Sequence, residues 1–300
     1  RSLLPERHPQ IIESLTTLAS LLGEDEKYYI EAKRMYEDAI NIRSKMIGAD
    51  HPDIATSLFN VAHLARDTGH YGDAKPLFDK ALNMRRSIFG LDSEEVAECY
   101  VAIAGVHTCQ RHYREALSLY KDALDILERK HGRTSKAVAL VLTDMGKMLQ
   151  MQCKFDEARE LLEEALATLR KVNTDGEVTA HVAQVLRRLA AIHVSQRKFE
   201  VAVYLYEEGI ELMQQALGPE HLDVAEVLSE LAELYRNDQF FDEAQDAYSE
   251  ALQIRRQALG AHHLDVAQSL NNLGDVYKRI AMFTDARKCF EEALEIRHII

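Results

Sequence analysis

Apolar residues return along this chain at helical spacing, and the whole pattern then returns after about 42 residues. The stretch "LGPEHLDVAEVLSELAELY" (217–235) is followed by "LGAHHLDVAQSLNNLGDVY" (259–277). With the β-branched residue of "DVA" as position one, the series is Ile11, Ile54, Val96, Val138, Val182, Val224 and Val266, at intervals of 43, 42, 42, 44, 42 and 42. Apolar residues recur at position five, and a large–small pair such as Val61-Ala62, Leu231-Ala232 or Leu273-Gly274 recurs at eight and nine. Positions one, five, eight and twelve share one face of an α-helix. The two longer intervals fall at "GEDEKYYIEA" and "VNTDGEVTA", which read as loops.

After a polar break such as "RDTGH" or "RNDQF", an aromatic opens a second amphipathic run: Tyr71, Tyr113, Phe155, Phe199, Phe241, Phe283. Alanine follows three residues later at 74, 116, 158, 202, 244 and 286. A second small residue recurs at Ala39, Ala81, Ala123, Ala165, Gly209, Ala251 and Ala293. Small residues at fixed places let two helix backbones approach, and the aromatics are expected to fill the space between neighbouring pairs. Each repeat is therefore predicted to be a helix-turn-helix, with helices about 25 Å long at ~1.5 Å rise per residue. One pair cannot bury its apolar stripe, whereas stacked pairs bury a continuous core. The expected fold is an all-α solenoid of seven repeats, at about 8–50, 51–92, 93–134, 135–178, 179–220, 221–262 and 263–300, forming a single domain over 1–300.

Composition agrees: 47% apolar, 28% charged, only 13 Gly and 5 Pro in 300 residues. The net charge of −13 repels phosphate backbones and argues against nucleic acid as a partner. No apolar run approaches membrane-spanning length. The four cysteines lack metal-ligand or disulfide-framework spacing, so a reducing, cytoplasmic setting is expected. The chain opens on Arg1 and ends within the amphipathic "EEALEIRHII", which reads as a piece of a longer protein.

The large–small pair, the Tyr/Phe opening the second helix and the recurring alanines resemble the tetratricopeptide repeat, here with a period of 42 rather than the usual 34. "IGADHPDIATSLFNVAHLA", the two stretches quoted first and "ALQIRRQALG" resemble the repeats of kinesin light chains, cargo adaptors of a microtubule motor. Ciliary nephrocystin-type proteins share this longer repeat. The resemblance implies a right-handed superhelical solenoid whose first helices line a concave groove, a cytoskeletal association, and a protein-interaction module rather than an enzyme. Kinesin light chains carry asparagine at position seven of most repeats. Here only Asn60 and Asn272 do, with Asn271 beside the latter; the others are Thr17, Ala102, Asp144, Arg188 and Glu230.

The residues carry no catalytic constellation. His51, His221 and His263 occupy one repeat position just before a first helix, which points to helix entry rather than metal ligation. His107 and His193 stand where Tyr235 and Tyr277 stand and read as packed side chains. Glu163-Glu164, Glu207-Glu208 and Glu291-Glu292 lie on second helices and read as solvated faces rather than acid–base pairs. There is no HExxH, phosphate loop or G-x-S-x-G elbow, and no cofactor or metal is expected. The candidate site is the groove face: Asn60 and His63, Val101 and Gly105, Lys147 and Met151, Arg187, Arg188 and Val194, Asn271 and Asn272. Its middle is small and apolar, bordered by Lys147, Arg187 and Arg188. The expected ligand is an extended peptide with a bulky apolar residue and acidic neighbours facing the arginines. A kinesin-light-chain-like cargo adaptor leads. A cytoskeletal or ciliary scaffold using the convex face or self-association through the solenoid ends is the alternative. A third reading is a regulatory array attached to an enzyme domain outside this stretch.

Overall fold

The computed structural model describes residues 9–22, 28–172 and 176–299. Among them are fourteen α-helices and no strand. Seven antiparallel pairs follow in order: α1 (Pro9–Leu22) with α2 (Tyr29–Ile47), α3 (Pro52–Asp67) with α4 (Tyr71–Phe89), α5 (Glu94–Cys109) with α6 (Tyr113–His131), α7 (Lys136–Met151) with α8 (Phe155–Leu169), α9 (Gly176–Ser195) with α10 (Phe199–Leu217), α11 (Leu222–Asn237) with α12 (Phe241–Leu259), and α13 (Leu264–Arg279) with α14 (Phe283–Ile299). The chain divides into two compact units, Arg1–Met148 and Leu149–Ile300. Each is built of stacked helices, and the boundary falls within α7.

The two stretches read as loops are only partly so. Residues 23–27 and 173–175 lie outside the described residues. Tyr29–Ala32 already belongs to α2, and Gly176–Ala180 belongs to α9, which thus starts inside the stretch assigned to the fourth repeat. The reason for the first is visible in the period. Tyr29 stands 42 residues before Tyr71, is buried, and is the opening aromatic of its own repeat.

The helix entries use a repeated cap. His51, His221 and His263 hold extended N-cap backbone. Their Nδ1 atoms accept the backbone N–H of Asp53, Asp223 and Asp265 at 3.2, 3.2 and 3.1 Å. Ser93 and Ser135 fill the same repeat position and accept from Val96 and Val138 through Oγ. The histidine has replaced serine as the acceptor for an otherwise orphaned first-turn donor.

First helices end in a Schellman motif, six times over. In α5, the Arg111 N–H donates to Thr108 O and the His112 N–H to His107 O. The same two bonds close α3, α7, α9, α11 and α13. The motif places one residue in the left-handed region: Gly69, Arg111, Cys153, Arg197, Gln239 and Ala281. Only one of the six is glycine, which is why the sequence announced this turn as a polar break and no more. Five second helices, α2, α4, α6, α10 and α12, end instead on a glycine such as Gly218, at φ 95° and ψ 154°, whereas α8 ends on Arg170.

Packing follows the small residues. Ala62, Ala104, Ala190 and Ala232 are fully buried. A Cβ on Gly274 would stand 2.9 Å from the Phe290 ring, and one on Gly209 would stand 3.4 Å from the Ala183 carbonyl. The aromatics need a correction. Tyr29 is buried, but Tyr71, Tyr113, Phe155, Phe199 and Phe241, which open the next five second helices, are only half-buried, and Phe283 is exposed. The ring that fills the core lies seven residues later: Tyr36, Phe78, Tyr120, Tyr206 and Tyr248 are all buried. Opening aromatic, alanine and buried ring stand at i, i+3 and i+7 on one stripe, and the middle of that stripe is the better shielded.

Candidate functional site

In the first unit, α3, α5 and α7 are successive first helices, and their facing sides enclose a cavity of about 390 Å³. Helical spacing brings Phe59, His63 and Arg66 from α3, Val101 and Ala102 from α5, and Leu140 and Asp144 from α7 to it. Glu94 and Glu98, one turn apart, stand on the α5 side, and Val141 with Leu127 of α6 completes an apolar wall. His63 and Val101 are thus brought together as expected. Gly105 stands beside the cavity, where a Cβ would come to 3.7 Å from Arg66 Nη1. Asn60 and Lys147 are exposed and do not line it.

Its electrostatics are settled from below. Arg85 of α4 is buried, donates to Glu95 O at 2.8 Å and to Glu98 Oε2 at 3.0 Å, and lies 4.2 Å from the centre of the Phe59 ring. His63 packs edge-on against Phe59 and Phe78 at 4.5 and 5.1 Å. Burial, with Arg66 nearby, pushes its pKa down to about 4, so it is neutral at pH 7. Arg66 pairs with Asp67 at 2.8 Å. Glu94 meets His131 at 3.0 Å. No nucleophile–base pair converges here, and no group of three or more metal-ligating residues occurs among the described residues. The chemistry on offer is a small apolar hollow with a carboxylate rim, a geometry for binding a side chain.

The second unit holds its own cavity of about 400 Å³, where Arg187 and Arg188 meet Gln150, Gln184 and the carboxylates Asp223, Glu226 and Glu230. Arg187 is not waiting for a ligand. Its Nε donates to Glu230 at 3.0 Å and its Nη2 to Glu226 at 2.6 Å. The Arg188 carbonyl accepts from Gln150 Nε2 at 2.9 Å. A peptide carboxylate arriving at Arg187 would meet two carboxylates already there. The remaining expected residues lie elsewhere. Met151 is exposed. Val194 packs against the core of α10 and α11. With its amide oxygen turned towards Arg297, Asn271 accepts from both terminal guanidinium nitrogens at 2.6 and 2.9 Å. Asn272 accepts from Gln268 at 3.0 Å.

Reading by face missed Glu94, Leu127, Ala137 and Val141. A signal for two of them exists in the repeat. The position of Leu127 reads Arg43, Arg85, Arg255 and Arg297 in other repeats, and that of Val141 reads Ser57 and Ser269. Arg255 donates to Ser269 Oγ and Arg43 to Ser57 Oγ. At the third junction this polar pair is replaced by an apolar one, and there the cavity opens.

A tetratricopeptide repeat profile matches residues 10–87, 60–129, 95–171, 181–239 and 223–297. The chain therefore belongs to the tetratricopeptide repeat family, whose members are in general protein–protein interaction modules. Among solved structures it is similar to BtubC (BKLC) from P. vanneervenii, at 25% identity and TM-score 0.68, over 76% of this chain and 91% of that one. A Podosopora anserina protein assigned as a kinesin light chain, with nearly identical TPR-like repeats, shares 18% identity at TM-score 0.59, over 68% and 96% of the two chains. The Rap conjugation gene regulator of plasmid pLS20, solved with the Phr* peptide, shares 15% at TM-score 0.61, over 91% and 70%. The last two likenesses are of fold alone. No sequence among curated proteins matches the chain. No helix among the described residues is long and apolar enough to cross a membrane.

Proposed function

We propose that this chain is a peptide-holding adaptor, and that the anchor of its ligand is a bulky apolar side chain seated between α3, α5 and α7. The observation that carries this is the hollow itself. Apolar side chains on the first helices, which the family uses for recognition, face an open cavity instead of a neighbouring helix. A Rap regulator of the same fold holds a peptide, so the architecture is compatible with the role. Within that class the lead is a cargo adaptor of the kinesin-light-chain type, supported by the 42-residue period and the repeat phrasing. The free cysteines support a reducing, cytoplasmic setting. The test is selection of short peptides from a displayed library on the 300-residue chain, repeated with Val101→Trp to fill the hollow. The reading expects one shared bulky apolar residue among the selected peptides, and its loss in the variant. Selection that Val101→Trp leaves unchanged would remove the site.

A second reading, a scaffold that associates end to end, has its own observation. Leu18 and Leu21 are 45% and 61% exposed, whereas their counterparts Leu231 and Leu234 are buried between pairs. At the other end, Leu294 is 57% exposed where its counterpart Leu252 is buried. Sedimentation velocity over a concentration series decides. Association that Leu294→Glu abolishes supports it, and a monomer at all concentrations dismisses it.

A further inference from the structure

We propose that the hollow between α3, α5 and α7 selects an apolar anchor residue flanked by lysine or arginine. This rests on the peptide-binding reading above and adds the charge of the ligand. Three carboxylates, Glu94, Glu98 and Asp144, line the hollow against one guanidinium, Arg66. Arg66 is engaged by Asp67, and the guanidinium beneath, Arg85, is buried and spent on Glu98 and the Glu95 carbonyl. Glu98 and Glu94 keep 53% and 44% of their side-chain surface open. A carboxylate accepts several hydrogen bonds at once, so a ligand cation can join without displacing Arg85 or His131. An incoming carboxylate would meet Glu94 and Glu98 at that rim, with Arg66 already engaged by Asp67.

The cavity of the second unit shows the same balance independently. Two arginines face three carboxylates there, and Arg187 is held by two of them. The Arg187 guanidinium, which invites an acidic ligand in the sequence, is thus neutralised by Glu226 and Glu230, about one repeat further along the chain. The net charge of −13 adds a long-range bias in the same direction, drawing cationic segments towards the surface.

The test is fluorescence anisotropy with three labelled Gly/Ser peptides. Each carries one central phenylalanine, flanked by Lys-Arg, by serines or by Asp-Glu. The proposal expects the basic peptide to bind at least about tenfold more tightly than the neutral one at low salt. The gap should close as the Debye length shrinks to roughly 3 Å near 1 M salt. Glu98→Gln retains an acceptor for Arg85 and should cut the gap severalfold, as should Glu94→Gln, with circular dichroism and thermal midpoint confirming an unchanged fold. Equal binding of basic and neutral peptides would overturn the charge selectivity and leave the apolar hollow standing. Tighter binding of the acidic peptide would overturn it in favour of the arginines. Binding of none of the three, at any salt concentration, would remove the hollow as a peptide site and the selectivity with it.

Discussion

Single residues at helix ends carry opposite kinds of backbone strain. Gln239, at φ 69°, occupies the left-handed position that Gly69 fills in the second repeat, and a side chain there costs roughly 1 kcal/mol. Gly218, at φ 95° and ψ 154°, lies in a region that is essentially glycine's own. A Cβ added at Gly218 meets nothing within 4 Å, so its cost would be conformational alone. Gln239→Gly should raise the urea midpoint, by about 0.5–1 kcal/mol of stability once the looser unfolded chain is allowed for. Gly218→Ala should lower it by about 1–3 kcal/mol. His63 sets a pH dependence. The unfolded imidazole takes its proton near 6.5, but the folded one only near 4, because burial opposes the charge. Its stabilising contribution is fully present above about pH 6.5 and is lost as the pH falls towards 4, on the order of 3 kcal/mol. Urea midpoints of the parent chain should fall over that window more steeply than those of His63→Gln.

At the scale of elements, the junctions between pairs come in two chemistries. Arg255 donates to Ser269 Oγ and to the Ala225 carbonyl, and Ser269 is fully buried. One repeat earlier, Met213 and Val227 stand in the two places, both buried. Replacing both members of such a pair by packed apolar groups is nearly neutral, whereas removing one strands the other. Arg255→Met/Ser269→Val should leave stability within about 1 kcal/mol of the parent, and Ser269→Val alone should cost about 1–3 kcal/mol; thermal and urea unfolding of the two variants check this. Helix type and order were legible in the sequence, because the 3.6-residue stripe and the 42-residue return reinforce each other in every pair. The start of the second helices at Tyr71, Tyr113 or Phe199 could be read to the residue. The start of α2 could be read as well, since Tyr29 stands 42 residues before Tyr71, but that of α9 could not, because the interval there lengthens to 44 and the period no longer fixes it. The burial of Phe78 and Tyr248 in place of Tyr71 and Phe241 was hidden for a different reason: periodicity gives a stripe, but only the neighbouring helix shows which part of it is covered.

For the whole molecule, the family and the all-α repeat architecture follow from the sequence, and the groove only in part. His63 and Val101 were legible as groove residues because a helix fixes which side chains share a side. That Arg187 is already engaged was not, since Glu226 and Glu230 lie 39 and 43 residues away and the pairing depends on how α11 settles against α9. The same limit explains the charge of the expected ligand. Arg187 counted alone invites an acidic partner, whereas counted with Glu226 and Glu230 it is already neutralised. The central claim is that a ligand's apolar residue sits between α3, α5 and α7. Its most direct test is photocrosslinking: a selected peptide with a photoreactive phenylalanine at the apolar position, irradiated with the 300-residue chain, and the adducts located by mass spectrometry. The account predicts adducts on α5 and α7 at Val101, Leu140 and their neighbours. Adducts concentrated instead on Val201 and Tyr204 of α10, or on Phe283 and Leu294 of α14, would contradict it.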